Sequence, residues 1–424
     1  MKKVLVVGAG GFIGGFIANE AVKRGYETYV AVRESTSLAY LQNPEIKVIT
    51  LDYDNRQMMG KALAMALPEN EKWDYIIYNL GATKCVNFLD FKRINYGYLK
   101  TFIETLKEIG KVPGKFLYMS SLSALGEGDE VNYTPFTGNE TANPTTAYGL
   151  SKVQAEAYLE HMAGIPYIIF RPTGVYGPHE KDYLMMIKTI DAGFDFSVGF
   201  RRQMLTFIYV EDLVRAMFLA LESDKTVNRK YIIAEDRAYS QKEFREIVAE
   251  ELGKKFVLPV TLPLWCLKVV CAVSGKIGKW RLKATTLNPD KYKIMKQRNW
   301  KADVSAARND FGFTAEFSLK DGIRETVKVY KTIKKAQMRR KPPFWFCLIV
   351  AVAVLPSFLF PTFFAIGGET KAAIDEFILY GFPIYLIVSA LLAYLCYAER
   401  RVLSWILTAV MYLTDIAMYL LLTV

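Results

Sequence analysis

Val4-Leu-Val-Val7-Gly8-Ala-Gly-Gly11-Phe-Ile-Gly14-Gly15 decides the fold. Four consecutive apolar residues suit a central parallel strand covered on both faces. The glycines that follow let the backbone turn tightly and approach a pyrophosphate, which rests on the free N–H groups of the next helix. The pattern predicts that helix through about Arg24, with Gly25 as its C-terminal stop. Further strands are expected at Thr28–Val32, Lys47–Leu51, Tyr75–Leu80, Phe116–Ser120 and Tyr167–Phe170, most of them separated by helical stretches. That alternation predicts an α/β fold, a Rossmann-type doubly wound parallel sheet. After about Gly174 come shorter strands (Thr206–Tyr209, Tyr231–Ala234) and amphipathic helices (Asp212–Leu221, Gln241–Leu252), as expected of a smaller substrate-side lobe interleaved with the sheet. The expected domains are 1–175, nucleotide-binding; 176–336, substrate-binding; and 337–424, a membrane anchor.

The anchor follows from three apolar segments, Phe344–Ile366, Phe377–Tyr397 and Val402–Val424, each about 20 residues long, as a bilayer crossing requires. A basic cluster (Lys328, Lys331, Lys334, Lys335, Arg339, Arg340, Lys341) precedes the first segment, and Arg400–Arg401 separates the second from the third. The loop 367–376 is net acidic. The positive-inside rule then places the catalytic domain on the cytoplasmic face of an integral membrane protein. The formal net charge of +11 in 424 residues fits an anionic bilayer surface rather than nucleic acid, because its clearest cluster adjoins the apolar runs. Five cysteines without a CxxC pair, and only two histidines, point to free thiols in a reducing compartment and to no metal site. The N-terminal Met-Lys-Lys and apolar run are interrupted by glycines, unlike a cleaved signal.

Tyr-x-x-x-Lys occurs four times, at Tyr96/Lys100, Tyr148/Lys152, Tyr292/Lys296 and Tyr330/Lys334. Only Tyr148/Lys152 follows a serine-bearing strand end (Ser120-Ser121) and opens a helix after a turn. The i, i+4 spacing puts phenol and ammonium on one helix face. A phenol with its ordinary pKa around 10 is a poor base near neutrality, and a neighbouring cation lowers that pKa. Serine can hydrogen-bond a carbonyl oxygen while hydride moves to or from its carbon. The second strand ends at Arg33, not at an acid, which favours a 2′-phosphate and so NADP(H) over NAD(H), with Ser35 and Thr36 able to add hydroxyl contacts. Asp52, after the third strand, either reaches the adenine amino group or caps the helix following Asn55.

Together these pieces resemble the extended short-chain dehydrogenase/reductase family, also called the NAD-dependent epimerase/dehydratase family. The matching stretches are Gly8–Gly14, Asn79-Leu80-Gly81-Ala82, Asn95, Ser120–Gly126, Ala147–Lys152, Arg171-Pro-Thr-Gly-Val-Tyr-Gly-Pro178 and Phe207–Asp212. The resemblance implies that Tyr148 is the acid/base and that Ser121, with Ser123 as the alternative, polarises the substrate oxygen. Lys152 would hold the nicotinamide ribose and lower the tyrosine pKa. Gly8, Gly11, Phe12, Ile13, Gly14, Leu80, Gly81, Ala82, Asn95, Pro172 and Thr173 would line the cofactor. Gly174 and His179 would face the substrate, and the assembly could be a homodimer. Where the family often has Tyr, this chain has Leu125; where its nucleotide-sugar enzymes carry Asn, this chain has Gly174. The Arg171–Gly177 stretch is more similar to the branch of 3β-hydroxysteroid dehydrogenases and dihydroflavonol reductases. The apolar run 257–273, followed by Lys276, Lys279, Arg281 and Lys283, resembles that branch's pocket-covering segment and also suits an interfacial helix. The expected function is a membrane-bound oxidoreductase interconverting hydroxyl and ketone on a sterol-, isoprenoid- or lipid-like substrate. A nucleotide-sugar or lipid-linked-sugar epimerase or dehydratase is the alternative, and a non-catalytic assembly factor the third.

Overall fold

The computed structural model describes residues 1–161, 165–340, 342–355, 381–397 and 400–423, which divide into two units, Met1–Lys328 and Val329–Val424. The first unit is built on β1 (Lys3–Val7), β2 (Glu27–Val32), β3 (Lys47–Thr50), β4 (Tyr75–Tyr78), β5 (Lys115–Met119) and β6 (Tyr167–Pro172). Next come short strands β7 (Gly174–Tyr176), β8 (Phe194–Val198) and β9 (Met204–Tyr209), then β10 (Arg229–Ile233), which returns to the main sheet. That sheet has seven strands in the order β10-β6-β5-β4-β1-β2-β3, and every neighbouring pair is parallel. The order reverses beside β1, and in such sheets ligands bind at that point, outside the carboxyl ends of the strands.

β1 explains why its run is apolar throughout. Val4 and Val6 join one buried cluster, with Ile17, Ala18 and Ala21 of helix α1 (Phe12–Lys23). Leu5 and Val7 join the opposite cluster. Helix α2 (Arg56–Met65) begins at Asn55, whose side chain accepts from Met58 N, so Asn55 and not Asp52 is the cap. After the single turn α3 (Leu89–Phe91) the chain makes a π-helical turn, Lys92–Gly97, before α4 (Tyr98–Glu108). Asn95 therefore lies on the π-helical turn rather than within the fourth helix. Helix α5 (Ala147–His161) packs on the same face of the sheet as α4, through Ala155 and Leu159.

The remaining helices of this unit are α6 (Lys181–Asp191), α7 (Val210–Glu222), α8 (Gln241–Leu252), α9 (Leu264–Trp280), α10 (Pro289–Lys296), α11 (Ser305–Phe311) and the start of α12 (Leu319–Arg340). β9 pairs with β7, with β11 (Ala238–Ser240) and with β13 (Asn299–Trp300). The run 257–273 is not one helix. It begins as β12 (Leu258–Leu262), paired with β8, and Pro263 then opens α9.

In the second unit the expected segments 344–366 and 377–397 fall partly on residues 356–380, which lie outside the described residues. Described there are α13 (Phe344–Val354), α14 (Phe382–Cys396) and α15 (Arg401–Thr423). They are linked by Ser404 Oγ donating to Ala393 O (2.6 Å) and Tyr412 Oη to Ile349 O (2.7 Å). Among the described residues α15 is the helix long and apolar enough to cross a bilayer, over Arg401–Met418, with a mean hydropathy of 1.3.

Candidate active site

At the carboxyl end of β1 the glycines are there for want of space. A Cβ at Gly14 would lie 2.4 Å from Gly8 O, and one at Gly8 only 2.7 Å from Leu80 N, with Gly8 itself at φ +81°. Helix α1 then starts at Gly11 with no side-chain cap, so its first amides are left for a ligand. Phe12 and Ile13 open this helix beside them. Beyond the end of the neighbouring strand β4, Ala82 meets Asn95 of the π-helical turn: Asn95 Oδ1 accepts from Ala82 N (2.7 Å), and its Nδ2 donates to Ala82 O (3.1 Å) and Ser151 Oγ (2.9 Å). The buried Asn95 thus ties the Leu80-Gly81-Ala82 turn to α5.

The same helix carries Tyr148 and Lys152. Ser121 lies just beyond β5, near the Tyr148 phenol, and its Oγ accepts from Ser123 N (3.2 Å). Burial raises the pKa of Tyr148 and the Ser121 hydroxyl opposes the rise. Lys152 Nζ donates to Met119 O (2.7 Å) and lies 4.9 Å from the Tyr118 ring centroid and 5.9 Å from that of Tyr148. Burial pushes its pKa down to about 7, against the pull of the Glu156 carboxylate. A Cβ at Gly81 would lie 3.1 Å from Lys152 Nζ. Ser123 contributes its carbonyl, against which Gly149 of α5 packs.

Three further residues support this set. Glu156, one turn beyond Lys152, forms a buried two-point ion pair with Arg171 (2.6 and 3.1 Å) and accepts from Ser120 Oγ. The i, i+4 spacing of Lys152 and Glu156 was the readable signal for it. Asp290 of α10 accepts from Ala147 N (2.8 Å) and Tyr148 N (3.4 Å), which fixes the N-terminus of the helix carrying Tyr148. No local pattern in the sequence marks that bond.

Pro172 ends β6, and Thr173 has a buried hydroxyl without a hydrogen-bond partner. A Cβ on Gly174 would lie 2.1 Å from the Tyr183 hydroxyl, which stands where any larger residue would put its side chain. Tyr183 itself packs among Tyr176, Phe207 and Phe244. His179, in left-handed backbone at φ 74°, faces Tyr40 rather than Tyr148. Arg33 is exposed at the end of β2, where its N–H donates to Thr36 Oγ1 (3.1 Å). Asp52 is exposed after β3 and accepts from Asp54 N. Among the described residues no group of three or more His, Cys, Asp or Glu could hold a metal ion.

The crowded glycine turn, the uncapped α1 and the orphaned Thr173 hydroxyl all fit a dinucleotide laid across the strand ends. The family model of the NAD dependent epimerase/dehydratase family matches residues 4–234. The chain is 25% identical over 222 residues to the UDP-glucose 4-epimerase of Vibrio cholerae, covering 51% of this chain and 63% of that one, so it spans under two thirds of that relative's length. It is 26% identical over 239 residues to the human sterol-4-alpha-carboxylate 3-dehydrogenase (decarboxylating), covering 54% and 61% respectively. The solved UDP-glucose 4-epimerase of Thermotoga maritima shares the fold at a TM-score of 0.62 and 21% identity, covering 78% of this chain and 99% of that one. The chain belongs to the NAD-dependent epimerase/dehydratase family, enzymes of the extended short-chain dehydrogenase/reductase type.

Proposed function

We propose that this protein is a membrane-bound, NADP(H)-dependent oxidoreductase that interconverts a hydroxyl and a ketone on a lipophilic substrate. The observation that carries the reading is an aromatic wall leading to Tyr148. Phe91 meets the Tyr148 ring at 6.0 Å, Phe88 stacks on Phe91 at 6.4 Å, and Lys279 of α9 lies 5.9 Å over Phe88. At the outer end of this wall α9 exposes Trp265 (68%), Val269, Val273, Ile277 and Trp280 (81%). Residues 253–289 hold no acid, and Lys268, Lys276, Lys279, Arg281 and Lys283 lie among these apolar groups. An apolar helix flanked by cations suits a bilayer interface with anionic headgroups. The long apolar α15 and the basic run before α13 agree with an anchored enzyme whose catalytic unit faces the cytoplasm.

When bound, the cofactor exchanges hydride with the substrate carbon. Tyr148 takes the hydroxyl proton in oxidation and returns it in reduction, and the burial that raises its pKa has to be offset by positive charge brought near it, that of Lys152 included. Ser121, beside that phenol, donates to the same substrate oxygen while its charge changes. Lys152 supplies positive charge near Tyr148 and holds the nicotinamide ribose. Arg33, with Ser35 and Thr36, selects the 2′-phosphate.

A sugar-nucleotide epimerase or dehydratase is the second reading, favoured by the Vibrio cholerae relative. Against it, position 174 is a glycine, with the Tyr183 hydroxyl standing over it, and so offers no side chain there to hold a diphosphate. The test uses protein purified in detergent with NADP⁺ or NAD⁺, given either a membrane lipid extract or a nucleotide-sugar mixture, and Tyr148→Phe as control. Tyr148-dependent net reduction of NADP⁺ with lipid alone is expected. Isomerised or dehydrated sugar without net reduction would overturn the proposal.

A further inference from the structure

We infer that Tyr40 and His179 form a clasp over the start of α1 that retains the bound dinucleotide and sets the rate at which it leaves; the inference rests on the cofactor reading above. The two rings belong to loops far apart in sequence, and their centroids lie 5.4 Å apart at 52°. Each loop is anchored to α1. Asn19 Nδ2 donates both to Gly15 O (2.8 Å) and to Tyr40 O (3.1 Å), and a Cβ on Gly15 would come within 2.6 Å of Tyr40 Cβ. On the other side, a Cβ on Gly177 would lie 3.4 Å from the Phe12 ring and 2.7 Å from Val210. The turn Gly177–Glu180 closes through Glu180 N and Gly177 O (3.2 Å). The rings therefore meet beside the amides on which a pyrophosphate rests.

Two features mark the contact as more than surface packing. His179 keeps a left-handed backbone, costly for a residue with a Cβ, although its side chain is exposed and gains little from burial. The loop of Tyr40 also carries Arg33, Ser35 and Thr36, at the adenosine end of the dinucleotide. The loop of His179 continues from Pro172 and Thr173, at the nicotinamide end. A dinucleotide spanning both ends would pass beneath the point where the loops touch, and its departure would then require Tyr40 and His179 to part.

Full-length protein loaded with NADPH (or NADH, whichever equilibrium fluorescence shows it to bind) is chased with excess oxidised cofactor, and release is followed by stopped-flow fluorescence. His179→Asn removes the ring while tolerating the left-handed backbone, and Tyr40→Leu removes its partner. Each is expected to release the cofactor about 2- to 12-fold faster, the rate equivalent of one aromatic pair. The double variant should be no faster than the faster single, and Tyr40→Phe should keep the parental rate. Parental rates in both singles, or effects that multiply in the double, would overturn the clasp and leave cofactor binding intact. Failure of the parent to bind either nucleotide would sink the cofactor reading and the clasp with it.

Discussion

Two lysines of the catalytic unit lie equally deep, Lys111 at 3% exposure and Lys152 at 4%, yet their surroundings are opposite. Lys111 Nζ has a carbonyl for each of its three protons: Pro68 O at 2.8 Å, Glu71 O at 2.9 Å and Leu67 O at 3.4 Å. It fastens the segment before β4 to the end of α4. Lys152 has one carbonyl, Met119 O, and otherwise ring faces. A buried ammonium left short of acceptors costs free energy that the fold must recover elsewhere. The contrast separates a clamp, whose bonds are complete within the chain, from a group that keeps donors in reserve for a ligand.

The sharpest way to break this contrast is to remove each ammonium in turn. Lys152→Met is expected to lower Tyr148-dependent turnover by about 10²- to 10⁴-fold, the range of a lost acid–base contribution. Its melting midpoint should stay level or rise, because a poorly satisfied buried charge has gone. A midpoint several degrees lower would make Lys152 a clamp like Lys111. Lys111→Met should do the reverse. It leaves three carbonyls without their donor, a loss of about 1–3 kcal/mol, which calorimetry would register as a lower midpoint while turnover of the folded enzyme is kept. An unchanged midpoint would show that the three bonds around Lys111 contribute nothing net.

The same contrast explains what was legible in the sequence. The strands of the main sheet lie within one or two residues of their expected places, because a strand buried on both faces must be apolar throughout, as Val4–Val7 is. The glycine turn was legible because it lies within one strand–turn–helix unit, and the placement of Ser121 and of Tyr148/Lys152 because each sits at the end of a regular element and carries its own short motif. Contacts between separate elements that carry no local motif were not. Asp290 meets Ala147 and Tyr148 from a separate helix, Arg171 of β6 finds Glu156 of α5, and Tyr183 of α6 stands over Gly174. The run 257–273 hid a strand because β12 is defined by pairing with β8, which periodicity within the run does not reveal.

A further test lies in the pH dependence of stability. Lys152 titrates near 7 in the folded chain, lowered by burial, against an ordinary lysine value around 10.4 when unfolded. A lowered lysine pKa penalises the folded state. The penalty is complete below the folded value, where both states carry the proton, and it fades as pH rises, because between the two values the unfolded chain binds more protons. Lys152 should therefore make the cofactor-free protein gain stability from about pH 7 toward pH 10, on top of the trend set by the other groups. Thermal scans of parent and Lys152→Met across that range isolate the difference. The variant's advantage should be greatest near pH 6 and shrink toward pH 10. Parallel curves would mean that Lys152 keeps its proton with ease.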